Sequence, residues 1–203
     1  MHPRILDIEE PGAIQRFTAE QLRAFPALNV VIHNAGIVRG ENLRAGPLEV
    51  AEATIATNLL GPIRLNAALL PHLLTQPRGT VLAVSSGIAF APKAGNPGYG
   101  ATKAAIHPYT QALRHQLRDT QVQVIELIPP FVQTELQGPA QATNPHALAL
   151  ADYIRETVEI LSSTPDVTEV IVERVKPQRC AEARGEYGTV FQQYSERAAI
   201  TKL

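Results

Sequence analysis

The stretch Leu28-Asn29-Val30-Val31-Ile32-His33-Asn34-Ala35-Gly36 decides the fold. Residues 28–33 are mostly apolar without alternation, the pattern of a short strand buried on both faces. The run stops at Asn34-Ala35-Gly36. Residues 79–85, with Thr-Val-Leu-Ala-Val at their centre, and residues 122–128 repeat the pattern. Residues 4–8 read as a first strand with Asp7 near its end, and residues 167–172 (Val-Thr-Glu-Val-Ile-Val) as a last one. Helical patterns lie between them. Residues 11–25 carry Ile14, Phe17 and Leu22 on one side. Residues 49–74 form a long helix with an expected kink at Gly61-Pro62. Residues 99–118 and 147–161 complete the set.

Strands alternating with helices predict an α/β fold, a doubly wound parallel sheet with helices on both faces. Such sheets bind ligands beyond the carboxyl ends of their strands. Asp7, Asn34 to Gly36, Ser86 and residues 129–134 all fall at or just after predicted strand ends. With the start of the Tyr99 helix they line one edge of the sheet.

Composition narrows the class. The chain has 203 residues, 45% of them hydrophobic and 18% charged, as for one globular domain with a sizeable core. A formal net charge of -1 with scattered arginines gives no basic patch, so neither nucleic acid nor a membrane surface is an expected partner. No apolar run reaches the roughly 18 residues of a membrane span, and the first residues carry no apolar signal core. One cysteine, Cys180, excludes an internal disulfide and points to a reducing, cytoplasmic setting. His33, His107 and His115 have no carboxylate or cysteine constellation around them in sequence, so no metal is expected. Residues 137–145, with Gly138, Pro139, Asn144 and Pro145, are loop-like and suit a flap.

The chemistry concentrates in Tyr99-Gly100-Ala101-Thr102-Lys103. A phenol four residues before an ammonium shares its helical face. The positive charge favours phenolate and so is expected to lower the tyrosine pKa. Thirteen residues upstream, Ser86 offers a hydroxyl for a substrate carbonyl. Ser85, beside it, reads as a buried hydroxyl at the strand end.

These pieces resemble the short-chain dehydrogenase/reductase family. In order they are Asn34-Ala35-Gly36 after a strand, Asn58 in Thr-Asn-Leu-Leu-Gly, Ser86, Tyr99 with Lys103, and Pro129-Pro130-Phe131-Val132-Gln133-Thr134 at the family's Pro-Gly turn. The match covers residues 4 to about 175. The tail, from Glu173-Arg174-Val175-Lys176-Pro177 through Arg179-Cys180-Ala181-Glu182 to Phe191, is similar to the DltE-like branch. The resemblance implies a Rossmann-like domain over residues 1–203 with an extension from about 176, and NAD or NADP as cofactor. It implies a catalytic tetrad of Asn58, Ser86, Tyr99 and Lys103. Tyr99 would exchange a proton with the carbonyl or alcohol oxygen, and Ser86 would orient that oxygen. Lys103 would lower the Tyr99 pKa and bind the nicotinamide ribose, and Asn58 would hold a water. Asp7 matches an adenine contact. Asn34, Ala35 and Gly36 would pass under the adenosine, Gly36 for close approach. Pro129 and Val132 would join Thr134, which would bind the carboxamide. The outer faces of the 49–74 and 99–118 helices imply a homodimer or homotetramer.

Several departures bear on that reading. The family opens with strand, glycine-rich turn, helix and strand, the turn cradling the pyrophosphate. Here the first residues already match the third strand of a 3-2-1-4-5-6-7 sheet. An N-terminally incomplete copy, through a misplaced start or a truncation, is the expectation, with two central sheet positions unfilled. The residues that separate NAD from NADP would lie after the second strand. Pro130 stiffens its turn, and Pro108 is expected to kink the helix just past Lys103. Two functions fit: an oxidoreductase acting on a small-molecule carbonyl/alcohol pair, or a catalytically silent oligomerisation or interaction module.

Overall fold

The computed structural model describes residues 2–46 and 48–199, with side chains as far as residue 196. Four parallel strands form one sheet in the order β1 (Val30–His33), β2 (Gly79–Val84), β3 (Val122–Leu127) and β4 (Glu169–Val170). Val30 lies opposite Thr80, Gly79 opposite Val122, and Glu126 opposite Glu169. Before β1 runs α1 (Pro11–Ala24), and between the strands run α2 (Glu49–Ile55), α3 (Gly61–Leu73), α4 (Pro97–Gln116), α5 (Pro139–Ala142) and α6 (Leu150–Ser163). After β4 come α7 (Lys176–Arg179) and α8 (Tyr187–Ala199).

The sheet is covered on both faces. On one, Ile14 of α1, Leu65, Leu69 and Leu73 of α3, and Leu113 of α4 pack on Val81, Val122 and Val124. On the other, Leu82, Ile125, Leu127 and Val170 meet Ile160 and Leu161 of α6. Successive strand residues point to opposite faces, so the continuous apolar runs of β2 and β3 supply both cores at once.

The edge strand differs from its expected burial. Val31 reaches the first core and His33 is buried, but Val30 and Ile32 are 47% and 57% exposed. Those two face the α6 side, and neither belongs to the core beneath α6.

Residues 4–8 form no strand. Leu6 and Ile8 instead pack against the first core. Thr57 donates its hydroxyl to Glu9 Oε1, and Arg64 donates to the Glu9 carbonyl (3.1 Å). A Cβ on Gly61 would stand 2.7 Å from Ile8 Cγ1, so this close approach requires glycine. The expected gap in mid-sheet is therefore absent among the described residues. The four strands pair consecutively, and residues 4–10 lie against the helices.

The interruption of the second helix also moves. The chain makes a π-helical turn over Ala56–Leu60 and then resumes as α3. Pro62 has no N–H to give to the Asn58 carbonyl four residues back, and the turn upstream widens. α4 starts two residues before Tyr99, with a proline in its first turn, and continues through Pro108 to Gln116. Residues 147–149 are not helical, because Leu148 pairs with Phe131 and Gln133 instead. The last strand shortens to two residues. The tail covers the turn after β2, with Ala181 and Val190 packing on Ala91.

Candidate active site

One stripe of α4 carries the site. Tyr99, Lys103, His107, Thr110 and Arg114 recur at helical spacing and face the crest of β2 and β3. Tyr99 is buried, and its phenol is near enough to the Ser86 side chain for that hydroxyl to act on its ionisation. Lys103 Nζ donates to the Val84 carbonyl at 2.6 Å. His107 Nδ1 lies 2.7 Å from Glu126 Oε2, Thr110 Oγ1 3.2 Å from the same oxygen, and Arg114 Nε donates to the Val124 carbonyl at 2.9 Å. The helix start is fixed from outside. Glu41 Oε1 accepts from the Gly98 N–H at 2.8 Å, a carboxylate at the positive end of the helix.

Ser86 heads the turn Gly87–Ala89, and its Oγ accepts from the Ile88 N–H at 3.4 Å. The Gly87 N–H donates to the Pro129 carbonyl at 2.9 Å, tying this turn to the end of β3. Ser85, expected as a buried strand-end hydroxyl, is fully buried and gives its hydroxyl to Glu126 Oε1.

Burial governs the charges here. It pushes the Tyr99 phenol up to about 12, with the Ser86 hydroxyl opposing. It pulls the Lys103 ammonium down to about 8. The expectation that Lys103 lowers the tyrosine pKa is thus reversed. The ammonium lies 5.6 Å from the ring centroid and is turned to the Val84 carbonyl, and desolvation of the phenol outweighs it. Tyr99 is held as a neutral phenol around pH 7.

Asn58 sits in the π-helical turn and is almost fully buried. Its Oδ1 accepts from the Ile37 N–H and its Nδ2 donates to the Ile37 carbonyl, both at 2.8 Å. Nδ2 also lies 3.4 Å from Thr102 Oγ1 on α4. The Asn58 side chain therefore fastens Ile37, just after Asn34-Ala35-Gly36, to α4. A Cβ on Gly36 would stand 3.2 Å from Asn58 Oδ1, a reason for glycine that the sequence reading did not give. Asp7 is exposed and accepts from the Glu9 N–H at 2.9 Å, a local turn.

The 131–149 loop is stapled to itself. Gln141 is 7% exposed. Its Nε2 donates to the Val132 carbonyl (2.7 Å) and Thr134 Oγ1 (3.0 Å), and its Oε1 accepts from the Gln137 N–H (2.9 Å). Val132 and Thr134 thus form an acceptor pair that takes a primary amide.

Sequence reasoning missed Gln141, Glu41 and Glu126. It also took His107 to lack carboxylates, and the structure corrects this: one ligand atom each of His107, Glu126 and Glu169 lies within 4.8 Å of the others. The strands bring together acids that lie far apart in sequence. The available signal was a glutamate inside the apolar run 122–128. Glu169 takes its cation from Arg179, whose Nε lies 2.8 Å from Oε2.

Comparison with known proteins decides the family. The profile described as short chain dehydrogenase matches residues 1–145. The chain belongs to the short-chain dehydrogenase family. An uncharacterized oxidoreductase DltE of Bacillus subtilis is 35% identical over 198 residues, covering 95% of this chain and 77% of that protein. The similarity thus runs well into the tail. An alcohol dehydrogenase from Thermococcus sibiricus, solved with 5-hydroxy-NADP, superposes with a TM-score of 0.71 at 27% identity over 82% of this chain and 72% of that one. A short chain dehydrogenase/reductase from Burkholderia phymatum, solved with NAD, reaches a TM-score of 0.75 at 18% identity over 93% of this chain and 75% of that one. The doubly wound, Rossmann-like sheet is the fold of this family. Among the described residues, no helix is long and apolar enough to cross a membrane.

Proposed function

We propose that this chain is an NAD(P)-dependent oxidoreductase that interconverts a carbonyl and an alcohol on a small-molecule substrate, with Tyr99 as acid and base. The observation that carries this reading is the burial of Tyr99 beside Ser86 and Lys103, with the phenol held up to about 12. A phenol that is neutral at working pH is loaded for the reducing direction. The cofactor, when bound, supplies or receives the hydride. Ser86 orients the carbonyl oxygen and stabilises charge developing there. Tyr99 gives that oxygen its proton, help typically worth ~10²–10⁴-fold. Lys103, beside the ring, favours the phenolate left behind. Asn58 keeps the Asn34–Gly36 segment against α4.

The residues fit the nicotinamide half of the cofactor. Val132 and Thr134 already accept from one primary amide, that of Gln141, and suit a nicotinamide carboxamide equally. Lys103 and Tyr99 face the ribose. The Pro129 carbonyl ties the Ser86 turn to the end of β3, and Asn34, Ala35 and Gly36 would hold the adenosine, with Asp7 at the adenine. Whether NAD or NADP is preferred is decided outside these residues. Cys180 and the outer faces of α2, α3 and α4 support a cytoplasmic homodimer or homotetramer built from a single domain.

A silent interaction module is the second reading. It is favoured by the engagement of Val132 and Thr134 with Gln141. Thermal unfolding with millimolar NADH or NADPH separates the two, since stabilisation grows with ligand concentration over Kd. The oxidoreductase reading expects an upward shift, together with carbonyl-dependent loss of reduced-nicotinamide absorbance. An unmoved midpoint in both cofactors overturns it.

A further inference from the structure

Glu126 is fully buried in β3, between two strands, and the reaction as derived above makes no use of it. A carboxylate taken out of water costs several kcal/mol unless its oxygens are satisfied. Here both are satisfied, by two different elements. Oε1 accepts from Ser85, the neighbour of Ser86. Oε2 meets His107 at 2.7 Å and Thr110 at 3.2 Å. His107 lies one helical turn after Lys103, itself one turn after Tyr99. The carboxylate therefore spans the strand end that carries the hydroxyl and the helix that carries the phenol and the ammonium. A second layer steadies it: the His107 and Phe90 rings meet edge to face (4.8 Å between centroids), and Arg179 lies 4.6 Å over the Phe90 ring.

We propose that Glu126 is a positioning residue for the reaction, the buried joint that sets the separation of Ser86 from Tyr99. The role rests on the oxidoreductase reading. It acts through Ser85 on one side and through His107 and Thr110 on the other, and touches no reacting atom. Glutamine at this position keeps the shape but puts an amide N–H where one oxygen accepted, so the side chain no longer ties the two elements to each other and both loosen. Alanine at position 85 breaks the strand side alone.

The test is a double-mutant cycle of Glu126→Gln and Ser85→Ala, read per folded site. Each variant is expected to lower kcat about 10- to 100-fold, the cost of small misplacement of reacting groups, with KM for the cofactor little changed. The double variant should lose no more than the worse single one, because both cut the same joint. Amide hydrogen exchange of the unloaded chain gives an arm independent of activity. Glu126→Gln should speed exchange at residues 85–87 and 100–103 together. Wild-type kcat in Glu126→Gln, additive losses, or exchange changing on one element alone overturns the inference. Should Glu126→Gln fail to fold, Ser85→Ala and Thr110→Val carry the same comparison. A wild-type chain that transfers no hydride overturns the oxidoreductase reading itself, and a role in that reaction falls with it. An active wild type with an unimpaired Glu126→Gln overturns this inference alone.

Discussion

The ammonium of Lys103 donates to the carbonyl of Val84 at 2.6 Å, two residues ahead of Ser86. A charged side chain from α4 thus ends on the strand that leads to Ser86. Its burial lowers the pKa to about 8 from 10.5. The unfolded chain therefore holds a proton that the folded one has released between pH 8 and 10.5, and stability rises with pH in that window. Tyr99, raised from 10 to about 12, acts with the opposite sign between those values. Urea unfolding of wild type against Lys103→Met should show wild type gaining on the variant from pH 8 to 10.5. Against Tyr99→Phe, wild type should lose from pH 10 to 12. A flat difference in either comparison contradicts the assigned shift.

Asn58→Ala removes both bonds to Ile37 and leaves that N–H and carbonyl without their partner. We expect a loss of about 1–3 kcal/mol per unsatisfied buried group. Asn58→Asp should be no better, since its second oxygen faces the Ile37 carbonyl. Chemical denaturation measures the loss, and proteolysis near residues 34–37 should quicken in both variants.

Gly87→Ala places a methyl group 2.7 Å from Val175 Cγ2 and against Gln178. Overpacking of this kind costs roughly 1–3 kcal/mol. The turn that holds Ser86 must shift to make room, so hydride transfer should fall more than the folded fraction does. Equal falls in both would show that the Ser86 turn had not moved.

His33 is buried at the end of β1, where its Nε2–H donates to Asn66 Oδ1 (2.6 Å) and its Nδ1 has no partner. Burial pulls its pKa below 6.5. The unfolded chain protonates first as acid is added, so stability falls as pH drops below 6.5. A His33→Gln variant should show a flatter acid limb in denaturant titrations from pH 7 to 5.

The parallel sheet was legible because apolar runs such as Thr80 to Val84 admit few other readings. Tyr99, Lys103 and Ser86 were legible because one helical face and one strand end bring them together. The rest depends on partners distant in sequence. Residues 4–8 have strand character, but a strand exists only beside another, and Ile8 finds Gly61 instead. Glu126 and His107 look unrelated until β3 and α4 are stacked. The sign of the Tyr99 shift depends on how much water its hydroxyl loses against how near Lys103 stands, and spacing along a helix fixes neither.

No rung of this sheet joins near neighbours in sequence. Val30 must find Thr80, Gly79 must find Val122, and Glu126 must find Glu169, each roughly forty to fifty residues away. Loop closure is therefore complete before any strand gains its partner, and topologies of this kind fold slowly. During that interval the apolar runs of β2 and β3 stand unpaired, so the yield of native protein should fall with refolding concentration long before the finished molecule shows any instability.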